Sequence, residues 1–278
     1  MSAEVFALPA AVKEAMPFDP FLDIGYQCPG SQQLDAAGTP VHGDTKEAFL
    51  MTNNALLSDP SHVPIADDPF AGAKLHRPPV AAHEAVTRAY VAAAGALNAR
   101  LNALLFDAMG LAEAERAALG SRPFMVLKQM RYQGEISCPE AGKLGAGAHA
   151  DWGAFTILAT DATPGLQVTM GEGVWLPVPP RKGCLIINSG DQIAQLSNDA
   201  YRSAVHRVVT VSTTPRFSTA VFTYFNLEAE VAPLPRFVSA DRPARHPAGR
   251  TTLAYFHYKL HESMERGGGY APPAAAAR

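Results

Sequence analysis

Between Phe124 and Phe225 the chain reads FMVLKQMRY (124–132), AFTILAT (154–160), GLQVTM (165–170), GCLIINS (183–189), HRVVTVS (206–212) and RFSTAVFTYF (216–225). Each run is short, rich in β-branched and aromatic residues, and bounded by Gly, Pro, Asn or Asp, which marks it as a strand. No long helical pattern separates the runs, so their spacing predicts a sandwich or barrel rather than βαβ units. The short turn STTP (212–215) further predicts that the last two runs pair as a hairpin.

Helices flank this core. From Val80 to about Leu119 the apolar residues Val86, Tyr90, Val91, Leu97, Leu101, Leu104 and Leu105 recur at steps of three and four, which predicts an amphipathic helix. Gly110 is its expected stop, and LAEAERAAL (111–119) forms a second, short helix. An amphipathic segment from Thr251 to Met264 is expected as a helix packed outside the sheet. The first 79 residues are broken by Pro, Gly and Asp and read as loops joining short elements. The fold class is therefore mainly β with flanking helices. Its expected organisation is a helical and loop flank (1–120), a β core with a C-terminal helix (121–265) and a low-complexity tail (266–278), all one structural domain.

Composition narrows the function. The 278 residues are 47% hydrophobic, an ordinary globular share, and the formal charge of −3 leaves no basic footprint for nucleic acid. No uninterrupted apolar run reaches the length of a bilayer span, and the N-terminus lacks a signal-peptide pattern. Cys28, Cys138 and Cys184 are scattered, which argues for a reducing, cytoplasmic setting. The expected partner is a small molecule, with no nucleic acid, membrane or protein partner.

His149 and Asp151 alternate at the head of a strand-like run, so both side chains share a face. His206 follows at the head of HRVVTVS. Two imidazoles and a carboxylate form the facial triad of non-heme Fe(II) sites, which leaves coordination positions open. Taken alone, His-x-Asp is a short and common pattern that equally suits core or surface residues. His257 and His261, followed by Glu262, make a competing pair at helical spacing but lack the HExxH pattern of zinc enzymes. Arg216 and Ser218 share a face, and a guanidinium beside a hydroxyl suits a carboxylate; the alternative is an Arg216 facing solvent. Arg131 and Lys128 suit an acidic group on a substrate, but as strand charges they are read as solvated.

The motifs HxDxGxxT (149–156), GLQV (165–168), WxxVxPxxG (175–183), NxGD (188–191), SNxxYxSxxHRV (197–208) and RxS (216–218) occur in one order. Together they resemble the core of the isopenicillin N synthase-like family of Fe(II)- and 2-oxoglutarate-dependent dioxygenases. The resemblance covers roughly residues 122–226, with weaker agreement in VFALPAAVKEAM (5–16) and DTKEAFLM (44–51). It implies a double-stranded β-helix, a jelly-roll barrel with helices against one face. It also implies that His149, Asp151 and His206 bind Fe(II), and that Arg216 and Ser218 hold the distal carboxylate of 2-oxoglutarate. Tyr132 falls where family members carry a tyrosine on that carboxylate, although they often read Asn-Tyr-Tyr-Pro where this chain has Met130-Arg131-Tyr132-Gln133.

The implied activity is oxidation of a small organic metabolite with O2, releasing succinate and CO2. Hydroxylation leads, with desaturation and cyclisation as variants. Two alternatives accompany it: an Fe(II) oxidase whose Arg-x-Ser pair grips the substrate itself, and a truncated non-catalytic metabolite-binding relative. The second arises because family members usually carry a further segment before the FALP-like helix, whose loss is expected to expose an edge of the larger sheet. The remaining motif residues have structural readings: Gly153 and Gly165 at tight turns, Trp175 and Pro179 at a strand-loop junction, and Asn188, Gly190 and Asp191 in a turn bonded to nearby backbone. Ser197 and Asn198 are read as capping or turn residues, and Leu166 and Phe222 as plain core, with pocket lining as the alternative.

Overall fold

The computed structural model describes residues 2–35, 43–53, 76–171, 173–246 and 250–266. The larger sheet contains β1 (Gly25–Gln27), β2 (Lys46–Thr52), β3 (Met125–Tyr132), β5 (Phe155–Thr160), β8 (Ile186–Ser189) and β10 (Arg216–Thr223), in the order β1-β2-β3-β10-β5-β8. The smaller contains β4 (Ala146–His149), β6 (Leu166–Gly171), β7 (Val174–Pro177) and β9 (His206–Val208), in the order β4-β9-β6-β7. Every neighbouring pair is antiparallel.

Alternation along each strand sorts the side chains. Ala48, Leu50, Val126, Met130 and Ala220 of the larger sheet meet Ala146, Leu166 and Val208 of the smaller one in an inner cluster. The residues between them, Phe49, Met51, Met125, Leu127 and Val221, form an outer cluster with Val5 and Phe6 of helix α1 (Ser2–Phe6). Helix α2 (Ala10–Glu14) follows, and the long helix α3 (His83–Met109) adds Val91 and Ala94 to the outer cluster. Fully burying a large apolar side chain contributes roughly 1.5–3 kcal/mol, so these two layers hold the sheet from both sides. At the β1 edge, the Tyr26 amide donates to Met16 O at 2.8 Å, so the preceding loop covers part of that edge.

Several expectations change. Strand β9 pairs with β4 and β6, whereas β10 pairs with β3 and β5 in the other sheet. The predicted hairpin does not form, because residues 209–215 carry the chain from one sheet to the other. Helix α3 stops at Gly110 as expected, with φ 66 and its N–H donating to Asp107 O. Its buried stripe is Thr87, Val91, Ala94, Asn98, Asn102 and Leu105, while Val86 and Leu104 are exposed. Those two lie about 100° off the stripe, and the small Ala94 lets the helix approach the sheet. Contrary to the sequence expectation, the 27-residue α3 contains an 18-residue stretch long and apolar enough to cross a bilayer, a test that core helices of soluble folds also pass. A short helix α4 (Glu113–Gly120) follows it.

Helix α5 (Asp191–Leu196) follows β8, and helix α6 (Thr252–Arg266) ends the described chain. α6 is more than an outer cover. Its Phe256, Leu260 and Met264 enter the inner cluster, where Phe256 meets Phe124 and Tyr224 edge-on at 5.4 and 5.3 Å. Cys28, Cys138 and Cys184 are free and exposed.

Candidate metal centre and carboxylate pocket

Strand β4 ends at His149, β9 begins at His206, and the two residues face each other across the ladder. Their rings lie 4.4 Å apart, and each Nε2 is 3.7 Å from Asp151 Oδ1. One donor atom from each of the three falls within 4.8 Å of the others; among the described residues no other such group is found. The remaining atoms of each side chain are fixed. His149 Nδ1 is 2.7 Å from Gly147 O and His206 Nδ1 is 2.8 Å from Ala204 O. A carbonyl only accepts, so both protons sit on Nδ1 and both Nε2 lone pairs turn inward.

Asp151 is held in the same manner. Its Oδ2 accepts from Thr156 Oγ1 at 2.5 Å and from Asn188 Nδ2 at 2.7 Å, which leaves Oδ1 to the histidines. Burial pushes the His149 pKa down to about 4, and the neighbouring His206 adds to the effect, so the neutral, ligating form prevails at neutral pH. Burial of Asp151 works against its ionised form, yet His206, His149 and the two hydrogen bonds outweigh it and the net shift is downward.

The loop after Asp151 is pressed onto the sheet. A Cβ on Gly153 would stand 2.2 Å from Thr223 O, and one on Gly190 would stand 2.4 Å from Gly153 O. The Asp191 amide donates to Asp151 O and the Gln192 amide to Gly153 O. The NxGD motif is thus a clamp on the aspartate: Asn188 lies in β8 and bonds a carboxylate, where a turn bonded to backbone was expected. Ser197 bonds local backbone carbonyls, as a capping residue does, whereas the Asn198 side chain donates to Phe237 O and Pro243 O, 39 and 45 positions away, and ties a distant segment to the end of the helix.

A cavity of about 390 Å³ lies between the sheets, with the His-Asp-His cluster on its wall. Arg216 opens β10 directly opposite Tyr132 of β3, and its guanidinium sits 4.9 Å from the centre of the Tyr132 ring. It is 4% exposed, so the solvent-facing alternative fails. Its Nε and Nη1, together with Ser218 Oγ, are buried without a hydrogen-bond partner. An unpaired guanidinium is costly in such a place, and the set of donors fits an incoming carboxylate. Leu166 and Phe222, expected as plain core, also line the cavity.

Lys46 and Lys128 are cavity-wall residues that sequence reasoning missed. Lys128 is buried rather than solvated, and burial, then Lys46, push its pKa down to about 7. Counting back by twos from Tyr132 places Lys128 on the same face, a signal present in the sequence. Arg131 points to the opposite face and pairs with Glu47 at 2.8 Å. Asp23 is also buried, and burial, opposed by the charge of Lys128, raises its carboxyl pKa to about 6. His257 and His261 lie on α6 and do not join the cluster.

Comparison with known proteins agrees with this geometry. Residues 124–224 match the model of the 2OG-Fe(II) oxygenase superfamily. Over 117 residues the chain is 41% identical to scopoletin 8-hydroxylase of Arabidopsis thaliana, covering 42% of this chain and 32% of that protein. The matched stretch spans about a third of the length of this and other curated relatives. Among solved structures, JOX2 in complex with 2OG, Fe and JA superposes with a TM-score of 0.71 at 26% identity, covering 98% of this chain and 76% of that one. The dioxygenase for auxin oxidation in rice gives 0.67 at 23% identity, covering 99% and 82%, a likeness of fold.

Proposed function

We propose, from the match of residues 124–224 to the 2OG-Fe(II) oxygenase superfamily, that the chain is an Fe(II)- and 2-oxoglutarate-dependent oxygenase of a small organic metabolite. The observation that carries the reading is the pairing of a converged His-Asp-His cluster with a buried, unpartnered Arg216–Ser218 pair on one cavity wall. On this reading the two facing sheets are the halves of a jelly-roll barrel.

His149, Asp151 and His206 would hold the iron, which when bound supplies the oxidising chemistry and the open positions for cosubstrate and dioxygen. Asn188 and Thr156 keep the carboxylate of Asp151 aimed at the cluster, and Gly147 O and Ala204 O keep the imidazoles in the ligating tautomer. Arg216 and Ser218 would receive the distal carboxylate of 2-oxoglutarate, with Tyr132 packed beneath the guanidinium. Ala146, Leu166 and Val208 give the same cavity apolar walls that exclude water. The net change is one oxidation of the substrate, with 2-oxoglutarate and O2 consumed and succinate and CO2 released; hydroxylation is the outcome we favour.

The test is an anaerobic titration of the metal-free protein with Fe(II) and then 2-oxoglutarate, following the visible charge-transfer band of the chelate. A saturable band is expected. Iron binding without a band would overturn the 2-oxoglutarate role and leave Arg216 to a carboxylate on the substrate.

A further inference from the structure

A smaller compartment of about 40 Å³ shares His149, Asp151 and Lys128 with the main cavity and does not include Arg216. Its remaining wall is built from Asp23, Gln32, Trp152, Phe222 and Tyr224, with Leu34 at the side. Two opposite charges face into it. Lys128 is 6% exposed and donates one hydrogen bond, to Gln32 Oε1 at 2.9 Å, so two of its three donors are free. Gln32 is itself fixed from α6 by Ser263 Oγ, which anchors the lysine head.

Asp23 is 7% exposed and stands in the loop before β1 at φ 53, a left-handed conformation that a non-glycine residue adopts at a cost. Among the described residues, neither a hydrogen bond nor an ion pair joins its carboxylate to Lys128 or to any other group. Lys46 nearby shows the contrast, since Asp44 Oδ2 neutralises it at 2.5 Å. Two buried charges that do not pair with each other carry a desolvation cost that a bridging ligand would recover. Asp151 in the same wall is already engaged by Thr156, Asn188 and the two histidines, and the charges of the remaining pair sum to zero, so the matching edge is neutral; about 40 Å³ admits that edge alone, and the body of the molecule lies in the main cavity.

We propose that this compartment reads the substrate, which presents a carbonyl oxygen to Lys128 and an adjacent N–H or O–H to Asp23 at one neutral edge. Lys128 and Asp23 are then specificity-determining residues, with Gln32 as the positioning residue for the lysine. As a statement about a substrate, this rests on the oxygenase reading above.

The experiment titrates the full chain with 2-pyridone, which has C=O and N–H side by side, and with 1-methyl-2-pyridone, which lacks the donor, followed by protein NMR. The wild type should bind 2-pyridone at least tenfold more tightly, Asp23→Ala should abolish that difference, and Lys128→Met should weaken both probes at least tenfold. Equal binding of the two probes by the wild type, undiminished discrimination by folded Asp23→Ala, or undiminished binding of both probes by folded Lys128→Met overturns the proposal. The Fe(II) and 2-oxoglutarate band is recorded in parallel. Discrimination without a band defeats the oxygenase reading and leaves the recognition edge standing; a band without discrimination does the reverse.

Discussion

The two faces of the larger sheet both bury charge, and they treat it in opposite ways. On the outer face Glu47 is wholly buried and satisfied: Oε2 accepts from Lys13 Nζ at 2.7 Å and Tyr26 OH at 2.5 Å, and Oε1 accepts from Arg131 Nη1 at 2.8 Å. On the inner face Arg216 and Ser218 are also buried, yet Arg216 Nε and Nη1 and Ser218 Oγ have no hydrogen-bond partner. Buried polar groups are ordinarily paired because leaving them unpaired is expensive. A satisfied network therefore ties α2 and the β1 loop to the sheet, and an unsatisfied one marks where a ligand completes the structure.

That contrast can be broken by mutation. Glu47→Ala should cost about 3–5 kcal/mol in urea unfolding, because it strands Lys13 and Tyr26, while the folded fraction keeps its iron affinity. Arg216→Leu should do the opposite: stability holds or rises, iron still binds, and 2-oxoglutarate affinity in the band titration falls by roughly 30- to 1000-fold, about 2–4 kcal/mol. Equal loss of stability in both variants would erase the distinction between the faces.

A smaller effect sharpens the inner face. Asn188→Ala removes one of the two bonds on Asp151 Oδ2 and should weaken Fe(II) binding by about 10- to 100-fold, measured by competition with a chelator. An unchanged affinity would make Asn188 a bystander. A pH series tests Lys128. Burial leaves its folded ammonium titrating near 7, against 10.5 as the ordinary value. Between those limits the unfolded chain binds more protons than the folded one, so stability rises with pH. Wild type should gain stability over Lys128→Met as pH rises from 7 to 10, and a flat difference would show that Lys128 does not titrate as a buried group.

Much of the core was legible. The strand runs of 124–225 announce themselves by composition and bounding residues, and His149, Asp151, His206, Arg216 and Ser218 all reach one cavity. Strand β2 escaped notice because Lys46 and Glu47 look like surface residues, whereas both are buried, Lys46 against the neighbouring Asp44 and Glu47 against the distant Lys13. The role of Asn188 was hidden for a similar reason, since its acceptor lies 37 positions away.

What the sequence determined by itself is local: strand period, helix stops, and which residue types share a face, all set by backbone geometry within a few residues. Which sheet a strand joins was decided only in three dimensions, as the failed pairing of β9 with β10 demonstrates. So was the fate of each buried charge. Glu47 and Arg216 are both charged residues at strand positions. Only the tertiary structure brings three donors to the first and leaves the second open, because satisfaction depends on what stands across space.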